Sequence, residues 1–189
     1  MSAREMNRTL LMIPGPIEFE PDVLQAMSAK TESHVAPDFI ARFGRCLRSL
    51  RELFRAPHGQ PFVVAGSGTL AMEMAAANLV QPDDAVLVVN TGYFSDRFAR
   101  MIERCGAVVE EVAAPIGQAP SLAEVADRLA ARSFKALVAT HVDTSTGVRV
   151  DAEGLARLAR DYKVLSIFDG VCATGGERFE QQGWGADVY

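Results

Sequence analysis

Four short apolar runs, each closed by turn residues, constrain the fold of this chain more than anything else in it. They read "PFVVAG" at 61–66, "AVLVVNTG" at 85–92, "KALVATHVD" at 135–143 and "KVLSIFDG" at 163–170. Runs this short and this rich in branched residues read as buried strands, and the segments between them carry helical periodicity. That alternation predicts an α/β fold, a mostly parallel sheet flanked by helices. Helices are expected over 69–80, rich in Ala, Met and Leu, and over 95–105, with Phe98, Ile102 and Cys105 on one side and Gly106 as the stop. Two more are expected over 121–132, opened by a Ser-x-x-Glu capping box, and over 151–162. Ahead of them Pro14-Gly15-Pro16 makes a rigid turn, followed by helices over 21–29 and 37–55. The expected division is an N-terminal arm with helices over 1–60 and an α/β domain over 61–189.

At 189 residues, 49% of them hydrophobic, the chain can bury a core. A net charge of −5, with Arg42, Arg45, Arg48 and Arg51 three apart as on a solvated helix face, argues against nucleic acid as a partner. Cys46, Cys105 and Cys172 are far apart, which points to neither a disulfide framework nor a metal site. A reducing, cytoplasmic setting is the expectation. The apolar patch from Leu10 to Ile13 is cut short by Pro14, so no signal-peptide core is expected, and no run has the length a membrane span needs.

In open α/β sheets ligands bind beyond the carboxyl ends of the strands, so the residues there are the candidates. Gly66-Ser67-Gly68-Thr69 follows the first run and leads into a helix. It is either a phosphate cradle built from free amides and the Ser67 and Thr69 hydroxyls, or only a tight connection. A P-loop is excluded, because no lysine lies between Lys30 and Lys135. The dinucleotide pattern G-x-G-x-x-A fits residues 66–71, but the second run ends in Asn90-Thr91 where a dehydrogenase needs an acidic residue. Tyr93 or Phe94 can stack on a planar ligand or pack under a loop. His141, Asp143 and Ser145 either line a pocket or form a turn that caps the loop. Asp169 is the sharpest feature, a carboxylate at the end of a buried strand, costly unless a cation meets it. It reads as a strand-end turn, a metal ligand or half of a buried ion pair, and the lack of a P-loop or a second nearby carboxylate disfavours the metal.

Together these pieces resemble the large domain of a class V, fold-type I aminotransferase dependent on pyridoxal 5′-phosphate, of the alanine–glyoxylate and serine–pyruvate group. The resemblance rests on "LLMIPGPIEF", "SHVAPDF" at 33–39, "VVAGSGTLAMEMAAANL" at 63–79, "NTGYFSDRF" at 90–98, "THVDTSTGV" at 140–148, "FDGVCATGG" at 168–176 and "WGADVY" at 184–189. It implies that Ser67, Gly68 and Thr69 hold the cofactor phosphate, that Phe94 stacks on the ring where many relatives place tryptophan, and that Val171 packs on the opposite face. It also implies that Ser145 bonds the phenolic oxygen and that Asp169 pairs with the protonated ring nitrogen, making the ring an electron sink. Pro14-Gly15-Pro16 matches a segment that lies near the substrate carboxylate in the family.

The resemblance further implies small amino acid and 2-oxo acid substrates and a homodimer. The family's cofactor-bearing lysine lies just past the stretch matched by "WGADVY", and Lys30, Lys135 and Lys163 are far in sequence from the pocket. The expectation is therefore the N-terminal part of an aminotransferase, inactive alone, without the lysine and the C-terminal small domain. The competing readings are a non-catalytic module that keeps the fold and dimer surface, and a nicotinamide-dependent dehydrogenase.

Overall fold

The computed structural model describes Thr9 and residues 11–189, so the start of the apolar patch at Leu10 lies outside the described residues. The chain forms two compact units that divide between Arg45 and Cys46. In the first unit, α1 (Pro21–Met27) precedes α2 (Pro37–Leu53), which runs on past the boundary. Glu32 pairs with Arg42 at 2.8 Å, and Phe39 stacks on Phe43 one turn away, but neither helix buries a residue.

In the second unit a four-stranded parallel sheet has the order β2-β1-β3-β6, formed by β1 (Ala85–Asn90), β2 (Val108–Ala113), β3 (Ala136–Thr140) and β6 (Leu165–Asp169). A short antiparallel ladder, β4 (Val142–Asp143) with β5 (Val148–Arg149), follows β3. Side chains alternate across the sheet. Val86, Val88, Val138 and Ile167 meet α3 (Gly68–Leu79) and α4 (Tyr93–Arg104) through Met72, Ala76, Phe98 and Ile102. Leu87, Val89, Leu137 and Phe168 meet α5 (Leu122–Ala131) and α6 (Ala152–Tyr162) through Val125, Leu129, Leu155 and Ala159. A last turn of helix, α7 (Gln181–Trp184), closes on this second core through Trp184. The chain leaves β1 toward β2 on one side and returns to β3 on the other, so the strand order reverses between β1 and β3, where open sheets place their ligands.

Two expectations about strands are corrected. Residues 61–66 form no strand, and Phe62, Val63 and Val64 are exposed at 80%, 53% and 54%. The outer edge of β6 is taken, and the other edge of the sheet, at β2, carries Glu110 and Glu111. Phe168 N–H donates to the Val188 carbonyl, Val188 N–H to the Ser166 carbonyl, and Asp187 accepts from Ser166. β2 was not anticipated because Glu110 and Glu111 break the apolar pattern of "VVEEVA". At a sheet edge such charges are tolerated and oppose edge-to-edge pairing. Among the described residues no helix is long and apolar enough to cross a membrane, and no group of three or more His, Cys, Asp and Glu can hold a metal ion.

Candidate active site

The start of α3 is built by Ser67, whose extended backbone and hydroxyl make it the N-cap; Oγ accepts from Leu70 N–H at 3.2 Å. The amides of Gly68 and Thr69 belong to the first turn, which offers them no intrahelical acceptor. Gly68 packs closely under Val171: a Cβ there would stand 2.4 Å from Val171 Cγ2, so that side chain would have to shift to admit one. Thr69 Oγ1 accepts from Arg97 Nη1 at 2.9 Å, and the guanidinium also lies over the Tyr93 ring at 5.4 Å. A cation therefore stands beside the helix N-terminus. The sequence reading missed it, although Arg97 lies one turn after Tyr93 on the same helix.

The start of α4 is held by a residue 49 positions away in sequence. The Asp143 carboxylate is fully buried; Oδ2 accepts from the amides of Phe94 and Ser95, each at 3.2 Å. Oδ1 accepts from the Ser145 amide at 3.0 Å and the Ser145 hydroxyl at 2.6 Å. Ser145 Oγ in turn accepts from Tyr93 N–H at 3.0 Å. A Cβ on Gly92 would meet Ser145 Oγ at 2.5 Å and Asp143 Cγ at 2.9 Å, so this clamp closes only over glycine. Asp143 is thus a turn residue that also caps a distant helix. Phe94 is half-buried in that first turn, edge-on to Tyr93 at 5.3 Å.

Asp169 ends β6 at 8% exposure. Its backbone carbonyl accepts from His141 N–H, and its Oδ1 accepts from Val171 N–H at 3.1 Å. Among the described residues no cation pairs with it. Burial raises its pKa above the ordinary carboxylate value, the Val171 amide opposes this, and the Asp143 charge adds to it. Gly68, Met72, Phe98, Asp169, Val171 and Tyr189 are among the walls of a cavity of about 230 Å³. A larger one of about 340 Å³, near Phe54, Thr174 and Arg178, contains no expected site residue.

The structure therefore brings Gly68, Asp169 and Val171 together on one cavity. Thr69 is joined through Arg97 to the α4 N-terminus, where Phe94 and Ser145 sit. Ser67, Phe94 and Ser145 do not line the cavity itself. His141 points elsewhere: it is buried, with Nδ1 at 3.0 Å from Tyr189 Oη and Phe179 close by, and burial lowers its pKa. Lys135 precedes β3 and Lys163 caps α6 just before β6, both at the end of the sheet opposite Asp169. The dinucleotide reading loses its premise, since that pattern must follow a strand and residues 61–66 are not one.

A parallel sheet wrapped by helices, with a buried carboxylate and a helix N-terminus facing one cavity, defines the α/β architecture of fold-type I pyridoxal phosphate enzymes. A profile of the aminotransferase class-V family matches residues 22–189, and the chain belongs to that family. It is 39% identical over 186 residues to alanine–glyoxylate aminotransferase 1 of Saccharomyces cerevisiae, covering 94% of this chain and 48% of that protein. It is 32% identical to the alanine–glyoxylate aminotransferase of Rattus norvegicus, covering 96% and 44%. Among solved structures, the alanine–glyoxylate aminotransferase of Nostoc superposes with a TM-score of 0.90 at 36% identity, covering 95% of this chain and 48% of that one. The chain spans about half the length of the relatives it matches. Membership in this class implies pyridoxal 5′-phosphate as cofactor.

Proposed function

We propose that this chain carries the cofactor-binding part, over 61–189, of an aminotransferase that moves an amino group from a small amino acid such as alanine or serine to a 2-oxo acid such as glyoxylate or pyruvate. The observation that carries the reading is Asp169. It is a buried carboxylate with no cation beside it among the described residues, held at a cost, on the same cavity wall as the glycine-built helix N-terminus. Pyridoxal 5′-phosphate fits both ends of that arrangement, with an anion for the α3 amides and a protonated ring nitrogen for the carboxylate. When bound it supplies the electron sink that lets the substrate's α carbon lose a proton.

The residues of this chain then divide the work. The amides of Gly68 and Thr69, with the Ser67 and Thr69 hydroxyls, take the phosphate, and Arg97 adds positive charge beside them. Asp169 keeps the ring nitrogen protonated. Val171, on the cavity wall, and Phe94, in the first turn of α4 outside that cavity, would pack toward the ring and keep water from it. Ser145 Oγ spends its proton on Asp143 and one lone pair on Tyr93 N–H, which leaves one lone pair to accept from the phenolic hydroxyl. Neither Lys135 nor Lys163 is placed to act on the substrate.

The same reading makes the protein a cytoplasmic homodimer, which the three free cysteines and the exposed apolar residues Phe62, Val63 and Val64 support. Fluorescence titration with pyridoxal 5′-phosphate tests the site: wild type binds, and Asp169→Asn binds at least tenfold more weakly. Equal affinities would remove Asp169 from the site, and no binding by wild type would end the reading.

A further inference from the structure

Thr140 ends β3, is buried, and carries the one buried side-chain oxygen without a hydrogen-bond partner among the described residues. An orphaned hydroxyl costs stability, so its presence calls for a use that the ligand-free chain does not display. Its surroundings supply one. Ala136 and Val138 face α3 and α4, so the strand's period of two points Thr140 to the same side, the side of the cofactor cavity. Its register partner on β6 is Asp169, and Leu165 and Ile167 place that carboxylate on the same face. Neighbouring strands lie about 4.8 Å apart, so a rotation about the Thr140 χ1 bond brings Oγ1 within reach of the carboxylate. Asp169 Oδ1 accepts from Val171 N–H, while Oδ2 has no donor among the described residues. An unused donor and an unused acceptor thus stand side by side across one ladder position.

We propose that Thr140 is a positioning residue for Asp169: its hydroxyl donates to Oδ2 when a cationic ring nitrogen is bound, holding the carboxylate ionised and turned toward the ring. The proposal rests on the reading that this site takes a pyridoxal-type ligand. The coupling to the ligand has a physical cause. Burial pushes Asp169 toward its neutral form, which is a poor acceptor. A cation beside it restores the charge and makes it a strong one.

The test compares wild type, T140V, which keeps the volume and removes the hydroxyl, and T140S, which keeps the hydroxyl. Two ligands are titrated: 4-deoxypyridoxine 5′-phosphate, which has the ring nitrogen and phosphate but no aldehyde, and benzyl phosphate, which lacks the nitrogen. Without ligand, T140V melts at or above the wild-type temperature, because an orphaned group is gone. For the pyridine ligand the Kd of T140V rises about tenfold at pH 7, and the deficit widens as pH falls. T140S stays near wild type, and benzyl phosphate binds all three alike. A melting point several degrees lower for ligand-free T140V would make the role structural and overturn the proposal. So would equal loss of both ligands, or wild-type affinity of T140V for the pyridine ligand. If wild type bound neither ligand, the cofactor reading would fail and this proposal with it; if wild type and T140V bound the pyridine ligand equally, this proposal alone would fail.

Discussion

Burial holds the Asp169 carboxyl above its ordinary range, and the Val171 amide opposes this only in part. A carboxylate with a raised folded pKa binds its proton more readily in the native chain than in the unfolded one. Its stabilising contribution is therefore present at low pH and lost as pH rises through the folded value. At pH 7 the ligand-free protein carries that penalty, and Asp169→Asn removes it. The variant should be no less stable than wild type in urea denaturation at pH 7, while losing at least tenfold in cofactor affinity. A large loss of stability would reveal a protein partner for the carboxylate. Gly68 separates packing from function in a similar way. Gly68→Ala sets a methyl against Val171 Cγ2, the tip of a side chain that is 66% exposed and free to shift. Its folding cost should stay near about 1 kcal/mol, the low end for overpacking, yet the methyl narrows the phosphate cradle, so the Kd for pyridoxal 5′-phosphate should rise tenfold or more.

At the scale of elements, the sequence made legible what is decided locally. α5 begins where its capping box places it: Ser121 Oγ accepts from Glu124 N–H, and the Glu124 carboxylate accepts from Ser121 N–H. Three of the four expected strands form for the same reason, since their branched apolar runs are buried on both faces. Residues 61–66 share that composition, but a strand also needs an edge to join, which no local pattern records. β2 failed the composition test for the opposite reason: at an edge the sheet tolerates the glutamates that a central strand would reject. Within the site, Asp169 was readable because a charge at the end of an apolar run is anomalous in itself. The clamp on α4 was not, because the carboxylate that binds its first amides lies on another element 49 residues away. That clamp sets the prediction at this scale. Asp143→Ala leaves the amides of Phe94, Ser95 and Ser145 without their buried acceptor, and should cost about 3 kcal/mol in urea denaturation. It should also weaken cofactor binding, since Phe94 and Ser145 would no longer be fixed relative to each other.

For the whole molecule, the response to pH follows from two buried groups of opposite sign. His141 is held below its ordinary value of 6.5 chiefly by burial, with the Arg149 charge adding to this and the Glu177 charge opposing it. The unfolded chain therefore binds the proton first as pH falls. Stability rises with pH through the window between the folded value and 6.5, and is lost on acidification through it. Asp169 acts in the other sense, since the native chain gains stability as that carboxyl takes up its proton. Its folded value is raised from 3.8, so its relief comes as pH falls toward the carboxylate range and tempers the loss from His141 there. The expected curve for wild type is a decline in unfolding free energy below about pH 6.5 that slackens further into acid. His141→Gln abolishes the upper part of the decline, because glutamine has no proton to take up, and it keeps a polar group for the Tyr189 hydroxyl. Asp169→Asn does the reverse: it raises the neutral plateau and leaves the histidine limb unrelieved, so its curve falls more steeply. Urea denaturation from pH 5 to 8 on the three proteins separates these cases. A histidine variant that declines like wild type would move the acid sensitivity to other groups, and with it the claim that burial of His141 limits stability.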